Sequence, residues 1–504
     1  MSKRFVLEKN ANPNYLATIC KIEETFPIEG ADKLIKTVVN GYDVVISKDY
    51  KPGDIVVYFP VESALSWKYL SANNLFERSE FELNANADEV KKLIIEAETA
   101  NDERGAEISA QIKSMCGFFS KNGRVRIIKL RGQYSQGFIA GVDSLVNYNP
   151  NLADVDWETM VGHQFNKVED DEICTKYIPK TKENNHVGTG SGDRTWRKRM
   201  KKLKRFDKLI DGQFTYHYDT KMLAEHINEL TPDMIVSITV KVHGTSTIMA
   251  NILCNRELTW FEKVKKFFGC KVPTTEYGNI YSSRSVIKNR YLNKNAHDFY
   301  DIDIWGCVNR DFAPYIDKGM TVYGEIVGYL EGSQTMIQKH HDYGCKIGQW
   351  KFMPYRITST DELGEKKEWE IKDVDEWTHK LVKDHPELED KVLYLNFVYY
   401  GRLGDMYPDI PEDENWNKNL LERMKNDRTL ILMEEDEPMC KNKVPREGIV
   451  LRIVNDEFSR AWKLKSLRHY GKEAEAHDKG EVDIEELESA NQIESGTYGG
   501  INVG

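Results

Sequence analysis

The feature that most constrains the fold is a β-branched run that ends in a lysine, Ile238-Thr-Val-Lys241-Val-His243-Gly244-Thr-Ser246. Such a run predicts a buried strand. A glycine at its end lets another backbone or a ligand approach closely. A lysine desolvated there can act as a nucleophile, although most lysines at strand ends are simply solvated. Lys241 is therefore a candidate that needs support from the rest of the chain.

The composition is that of an ordinary globular protein, with 504 residues, 40% hydrophobic and 30% charged. The length favours about three domains. The net charge of −11 means that a nucleic acid would need a local basic surface. The sequence shows no membrane-length apolar run and no signal-peptide core, and its eight cysteines form no CxxC pair. We therefore expect a cytoplasmic protein with reduced thiols.

Residues 1–170 predict a small β domain. Short apolar runs at 15–22, 34–39, 42–46, 55–59 and 125–130 are separated by turn signals. This spacing suits a small barrel or sandwich. Helical spacing within 84–115 predicts one inserted amphipathic helix.

Two basic segments could contact phosphates. The first is an alternating strand with Arg124, Arg126, Lys129 and Arg131, for which a solvated strand face is the simpler interpretation. The second is a run at 194–205 within a linker at 171–214, and it could instead be an exposed connector. Its basic residues include Arg197, Lys198, Arg199, Lys201 and Lys202.

From residue 215 the pattern changes to mixed α/β. Residues 246–253 are predicted to be the hairpin partner of the first strand. Residues 260–268 place aromatics among lysines at a spacing that predicts a packed amphipathic helix. The His340-His341 pair is interpreted as loop residues because no third metal ligand stands nearby in the sequence. Residues 471–504 are polar and acidic and predict a flexible tail.

Five further residues could assist a lysine nucleophile that attacks a nucleoside triphosphate. Lys463 and Lys465, two apart and so on one strand face, could neutralise the α-phosphate. Glu325 and Glu447 could hold a divalent metal. Tyr355 could cover the base.

In this order the segments resemble the motifs of the covalent nucleotidyltransferase superfamily of polynucleotide ligases and mRNA capping enzymes. Lys241-Val-His-Gly resembles motif I, which implies that Lys241 becomes adenylylated. His243 stands where aspartate is commoner, although Lys-x-His-Gly-Thr is similar to the form in RNA ligases. This replacement would place more of the metal contact on Glu325 and Glu447.

The later motifs follow in family order. Ser283-Arg284 resembles the motif that contacts the nucleotide and the RNA end, and Tyr-Gly-Glu325 resembles motif III. Glu447-Gly-Ile-Val resembles motif IV at the metal, and Lys463-Leu-Lys465 resembles motif V at the α-phosphate. Tyr355 best matches the stacking aromatic, with Phe352 as the alternative. The implied ATP-binding set is Val240, His243, Gly244, Arg284, Glu325, Tyr355, Phe352 and Val450.

The N-terminal half resembles the OB-type domain of the fifth class of RNA ligases, in segments at 15–22, 28–33, 52–59 and 129–137. The resemblance implies an α+β protein, with an OB-type β-barrel followed by an adenylyltransferase domain over 215–470 that has an ATP-grasp-like antiparallel sheet. It also implies ATP and Mg²⁺ or Mn²⁺ as cofactors. The expected substrate is RNA with 3′-hydroxyl and 5′-phosphate ends, joined by a monomer in RNA repair or nick sealing.

Three other interpretations compete. A DNA ligase or a GTP-using capping enzyme usually carries an OB domain after motif V, where this chain has a short acidic segment. A non-catalytic RNA-binding protein with a ligase fold is the third. Against it stands the joint presence of Lys241, Glu325, Glu447, Lys463 and Lys465.

Deletion of residues 194–205 is expected to weaken RNA binding while self-adenylylation persists. Each RNA phosphate that the variant no longer neutralises should reduce the slope of log affinity against log salt by about 0.9. RNA-binding titrations at several salt concentrations measure this slope. An unchanged slope would show that the basic run does not bind phosphates.

Overall fold

The computed structural model describes residues 4–9, 11–178, 206–217, 220–290, 302–456 and 459–478. The basic run at 194–205, with the five cations predicted to bind RNA, lies outside these residues. The chain divides into two compact units, Met1–Ile178 with Glu473–Glu475 and Pro179–Lys472 with Ala476–Gly504. Each unit is described by itself below.

The first unit consists of small antiparallel sheets with short helices. Its described strands are β1 (Phe5–Val6), β2 (Ala17–Lys21), β3 (Thr25–Pro27), β4 (Leu34–Val39), β5 (Tyr42–Ser47), β6 (Ile55–Phe59), β7 (Ser63–Leu65), β8 (Ile128–Leu130), β9 (Gln133–Ser135), β10 (Phe138–Gly141), β11 (Gln164–Phe165), β12 (Lys167–Val168), β13 (Asp171–Glu172) and β14 (Cys174–Lys176). Its helices are α1 (Trp67–Ala72), α2 (Ala87–Thr99), α3 (Asp102–Met115) and α4 (Asp143–Tyr148). The largest sheet has the order β10-β6-β2-β11, beside a β3-β4-β5 meander, and no described sheet closes on itself.

Local sequence explains the β4–β5 hairpin. Its two-residue loop, Asn40-Gly41, has φ values of 49° and 75°. Both residues thus lie in the left-handed region that a tight hairpin turn requires, which asparagine and glycine tolerate best. Burial alternates along β5, so one of its faces packs inward.

The predicted inserted helix is two helices. α2 ends at Thr99, and α3 begins after Asn101, whose side chain accepts a hydrogen bond from the backbone N–H of Arg104. An asparagine N-cap starts a new helix because it satisfies an N–H that would otherwise lack a partner. Ile108 on α3 packs against Val90 on α2.

The second unit contains two five-stranded sheets. Its described strands are β15 (Lys221–Met222), β16 (Ile235–Lys241), β17 (Thr245–Asn255), β18 (Thr275–Ser283), β19 (Met320–Gly328), β20 (Trp350–Thr360), β21 (Lys366–Glu368), β22 (Phe397–Arg402), β23 (Gly448–Ile453) and β24 (Ala461–Lys465). Its helices are α5 (Leu223–His226), α6 (Trp260–Phe267), α7 (Ile304–Phe312), α8 (Ile371–Asp384), α9 (Trp416–Asn426) and α10 (Leu467–Asp478). The strand orders are β15-β24-β23-β16-β22 and β18-β17-β19-β20-β21.

The two sheets are joined directly after the lysine strand, which corrects the predicted hairpin. β16 pairs with β22 and β23, whereas β17 pairs with β18 and β19. Residues 242–244 carry the chain from one sheet to the other. A Cβ on Gly244 would lie 2.3 Å from the carbonyl oxygen of Ile326, so only glycine lets the chain pass this close to β19.

Helix α6 forms where an amphipathic helix was predicted, but its aromatics are not packed. Trp260, Phe261, Phe267 and Phe268 are 69%, 70%, 86% and 75% exposed. Helical periodicity shows that one face is apolar, but it does not show whether another element covers that face.

Two remaining expectations concern the tail and membranes. Helix α10 extends to Asp478, so the first residues of the predicted flexible tail are helical, and residues 479–504 lie outside the described part. Among the described residues, no helix is long and apolar enough to cross a membrane.

The contrast between Phe352 and Phe267 gives a stability prediction. Phe352 is fully buried in the core that includes Trp305 and Phe312. Phe352→Ala should lower the free energy of unfolding by about 3–5 kcal/mol. Phe267→Ala should change it by less than about 0.5 kcal/mol. Denaturant unfolding of both variants measures the difference, and equal losses would contradict the exposed position of Phe267.

Candidate functional site

The site lies at one end of a sheet, where β16 and β24 end and their neighbour β23 begins. In the antiparallel register Lys241 on β16 lies opposite Gly448 on β23, and Gly448 lies opposite Lys465 on β24. A Cβ on Gly448 would lie 2.0 Å from the carbonyl oxygen of Leu464, so glycine permits the close approach of β24. The register therefore places two lysines on either side of the residue that precedes Gly448.

That residue is Glu447, which is 3% exposed. Its Oε1 lies 2.8 Å from Lys241 Nζ and 3.4 Å from Lys465 Nζ, and its Oε2 lies 3.9 Å from His243 Nδ1. Burial by itself raises the pKa of Glu447. The charges of Lys241, Lys465, His469 and His243 outweigh this and hold the pKa well below 4.5. The carboxylate is thus buried, ionised and shared between two lysines.

The second sheet contributes Glu325 from β19. Its Oε1 accepts a hydrogen bond from the backbone N–H of Gly244 at 3.2 Å, and its Oε2 accepts one from Ser246 Oγ at 3.3 Å. Gln338 Nε2 donates to the carbonyl of Gly244 at 2.9 Å. The segment 242–244, which joins the two sheets, is therefore held in place by side chains from the second sheet and from the loop after β19.

Other predicted residues surround this centre. Lys463 is buried on β24 opposite Val450, which is half-buried. Val240 is buried on β16. Arg284 directly follows β18 and is half-buried. The last residue of β18 pairs with a residue of β17 that in turn pairs with the neighbour of Glu325 on β19.

The two aromatic candidates for stacking on the base lie in different surroundings. Tyr355 is half-buried at a bulge in β20, where its hydroxyl lies 3.3 Å from His217 Nδ1 and its ring packs near Val242. Phe352 is 0% exposed in the core between β20 and α7, in contact with Phe312. The structure thus corrects the alternative assignment, because a side chain with no accessible surface has no face to stack on a base.

Sequence reasoning did not place two histidines, His341 and His469, next to His243. The rings of His341 and His469 lie 5.0 Å and 4.9 Å from the ring of His243, each at a steep angle. His341 lies in a loop, as predicted, but it is 8% exposed, and His469 on α10 is 3% exposed. His469 follows Lys465 by four positions. This spacing indicates that the two residues lie close together only once a helix is known to begin between them.

Only some of the basic residues in the predicted basic strand of the first unit are exposed. Arg124 is 5% exposed, and its Nε and one terminal nitrogen donate to Glu62 at 2.9 Å and 2.7 Å. This corrects its assignment to RNA, because the guanidinium is committed inside the unit. Arg126, Lys129 and Arg131 are exposed.

The donor set fits a divalent metal. One ligand atom each of His243, Glu447 and His469 lie within 4.8 Å of one another. Glu447 Oε2 is buried and has no hydrogen-bond partner among the described residues. Imidazole nitrogen and carboxylate oxygen are ordinary ligands of first-row divalent ions.

Comparisons with known proteins agree with this fold. A family model described as an OB-fold domain matches residues 16–97. An AMP- and manganese-bound mutant of Naegleria gruberi RNA ligase has a TM-score of 0.50 at 17% identity, covering 91% of this chain and 98% of that chain. The same ligase with pyrophosphate has a TM-score of 0.47 at 18% identity, covering 92% and 99%. A comparison with curated proteins gave no match.

The N-terminal OB-fold match and the shared fold at a TM-score of 0.50 confirm the predicted α+β fold class. At 17% identity the likeness shows the fold, and the chemistry has to be argued from the side chains.

Glu447→Gln gives a pH prediction. Because the folded pKa of Glu447 lies below 4.5, its ionised form stabilises the protein above about pH 4.5, and this contribution is lost as pH falls through the folded value. The variant should be less stable than the wild type by about 1.5–3 kcal/mol at neutral pH. Denaturant unfolding across the acid range should show this difference shrinking. A difference independent of pH would contradict the ionised state.

Proposed function

We propose that this protein is an ATP-dependent RNA ligase that joins 3′-hydroxyl to 5′-phosphate ends. The observation that carries the proposal is the placement of Lys241 beside Glu447 and Lys465 at one sheet end. The sheet belongs to a fold shared with a ligase structure that holds AMP and manganese. The family motifs along the chain supply the same residues in the same order.

The first step is nucleophilic attack by Lys241 on ATP. Its Nζ forms a bond to the α-phosphorus, the bond from that phosphorus to the bridging oxygen breaks, and pyrophosphate leaves. The amine loses a proton as it attacks, and the leaving pyrophosphate or water takes up that proton. Glu447 accepts a hydrogen bond from Lys241, which holds the amine at the sheet end. Lys463 and Lys465 share a strand face, and they would neutralise the charge that develops on the α-phosphate.

The nucleotide and the metal would use the remaining residues. Tyr355 would cover the adenine, and Glu325 and Arg284 would contact the nucleotide from the second sheet. The metal would be held at Glu447, where it would neutralise phosphate charge. We assign Glu325 to the nucleotide rather than to the metal; the support is that its two oxygens accept hydrogen bonds from Gly244 N–H and Ser246 Oγ.

Two transfers complete the reaction. AMP passes from Lys241 to the 5′-phosphate of RNA, and the 3′-hydroxyl then attacks that phosphate and releases AMP. The exposed Arg126, Lys129 and Arg131 of the OB-fold unit would contact the RNA backbone. RNA repair or nick sealing is the corresponding biological role.

Incubation with labelled ATP, GTP or NAD and a divalent metal tests the first step. The wild type should become covalently labelled by ATP alone. Lys241→Ala should abolish the label because the phosphoramidate forms on the amine of that lysine. Glu447→Gln should lower the labelling rate by at least about a hundredfold. Lys263→Ala, on the exposed face of α6, is the matched control and should label like the wild type.

The substrate is tested by sealing defined ends. Joining of RNA 3′-hydroxyl ends, but not of DNA 3′-hydroxyl ends, supports the RNA ligase. Joining of DNA alone would make the protein a DNA ligase. Absence of label from every nucleotide, with RNA still bound, would favour a non-catalytic RNA-binding protein.

A further inference from the structure

Two buried imidazoles, those of His341 and His469, and the half-buried imidazole of His243 cluster beside the carboxylate that the proposed ligase chemistry needs. His243, His341 and His469 come from the sheet-to-sheet passage, a loop and a helix, and the rings of His341 and His469 lie 6.2 Å apart. Their positions are fixed by the fold. Lysine binding at Glu447 Oε1 does not explain why imidazoles cluster beside the same carboxylate.

The two oxygens of Glu447 face different partners. Oε1 binds the two lysines, whereas Oε2 is buried and faces His243 Nδ1 at 3.9 Å. In the part of the chain that the structure describes, Oε2 has no hydrogen-bond partner. A buried carboxylate oxygen without a donor costs free energy unless a ligand binds it. The direction of Oε2 indicates a cation between Glu447 and the imidazoles.

Hydrogen bonds from residues outside the histidine cluster hold the backbones of His243 and His469 in place. The backbone N–H of His243 donates to the buried Tyr343 hydroxyl at 2.6 Å. The backbone N–H of His469 donates to Ser466 Oγ at 3.2 Å, and Glu434 accepts hydrogen bonds from the N–H groups of Leu467 and Arg468. Both backbones are therefore fixed before any ligand arrives.

We propose that His243 and His469 bind the divalent metal directly, together with Glu447 Oε2. This deepens the proposed function, on which it rests, by naming the ligands and the metal class. A site with two nitrogen donors and one oxygen donor favours Mn²⁺ or another first-row transition ion over Mg²⁺, which prefers oxygen. The remaining coordination positions are left for water or phosphate oxygens.

The charge of the site links metal binding to the nucleotide. Lys241 and Lys465 bind the other oxygen of the same carboxylate, so their positive charges repel a metal ion at Oε2. A triphosphate brings negative charge that offsets this repulsion. Mn²⁺ should therefore bind at least about tenfold more tightly in the presence of α,β-methylene-ATP, which cannot transfer AMP.

Pulsed electron paramagnetic resonance of bound Mn²⁺ tests the ligands without requiring activity. The protein is labelled with ¹⁵N-histidine, so that imidazole couplings are distinguished from those of adenine. The full-length protein with Mn²⁺ and α,β-methylene-ATP should show coupling to two histidine nitrogens. His469→Gln should lose one of them, and so should His243→Asp, which restores the commoner motif residue and keeps an oxygen donor.

His379→Gln is the matched control, because His379 is an exposed histidine of α8. It should keep both couplings. The preference for Mn²⁺ over Mg²⁺, measured by competition, should fall at least about tenfold in His243→Asp. Bound Mn²⁺ without histidine coupling in the wild type would overturn the proposal, and so would couplings unchanged in both site variants.

Failure of this proposal is distinguishable from failure of the proposed function. Covalent labelling by ATP without histidine coupling would overturn only the metal ligands. Histidine coupling without labelling would support the metal site and reject the ligase. Lys241→Ala should keep both couplings, since Lys241 does not belong to the donor set.

Discussion

The site depends on one buried ionised carboxylate, that of Glu447. Burial alone would favour its protonated form, but cations around it keep the pKa of Glu447 low. In return the carboxylate allows Lys241 and Lys465 to stand side by side, since two neighbouring cations at a half-buried sheet end would otherwise repel each other. Its two oxygens face different partners, since Oε1 lies beside Lys241 and Lys465 and Oε2 faces His243.

The backbone makes this arrangement possible at two glycines. Gly448 lets β24 approach β23 closely enough to bring Lys465 level with Lys241. Gly244 lets the chain pass against β19 as it leaves one sheet for the other. Because Glu325 accepts hydrogen bonds from Gly244 and Ser246, the second sheet fixes the position of the segment that follows Lys241.

Features that depend on neighbouring residues were predictable. The bounds of β4 and β6 match the apolar runs at 34–39 and 55–59, because turn residues limit them on both sides. Features that depend on distant packing were not. The helix at Trp260 has its predicted period but no covering partner among the described residues, and β17 pairs away from β16. Arg124 fits an alternating basic face, yet Glu62 binds it inside the unit.

The chemical groups of the site could be predicted from the sequence, since the order and spacing of Lys241, Glu447 and Lys465 are properties of the chain. Only the tertiary structure decided that His341 and His469 meet His243 beside Glu447, and that Phe352 belongs to the core. The physical reason is that local periodicity describes which face of an element is apolar. Contacts between residues far apart in the sequence depend on how sheets and helices pack, and that packing follows from the whole chain.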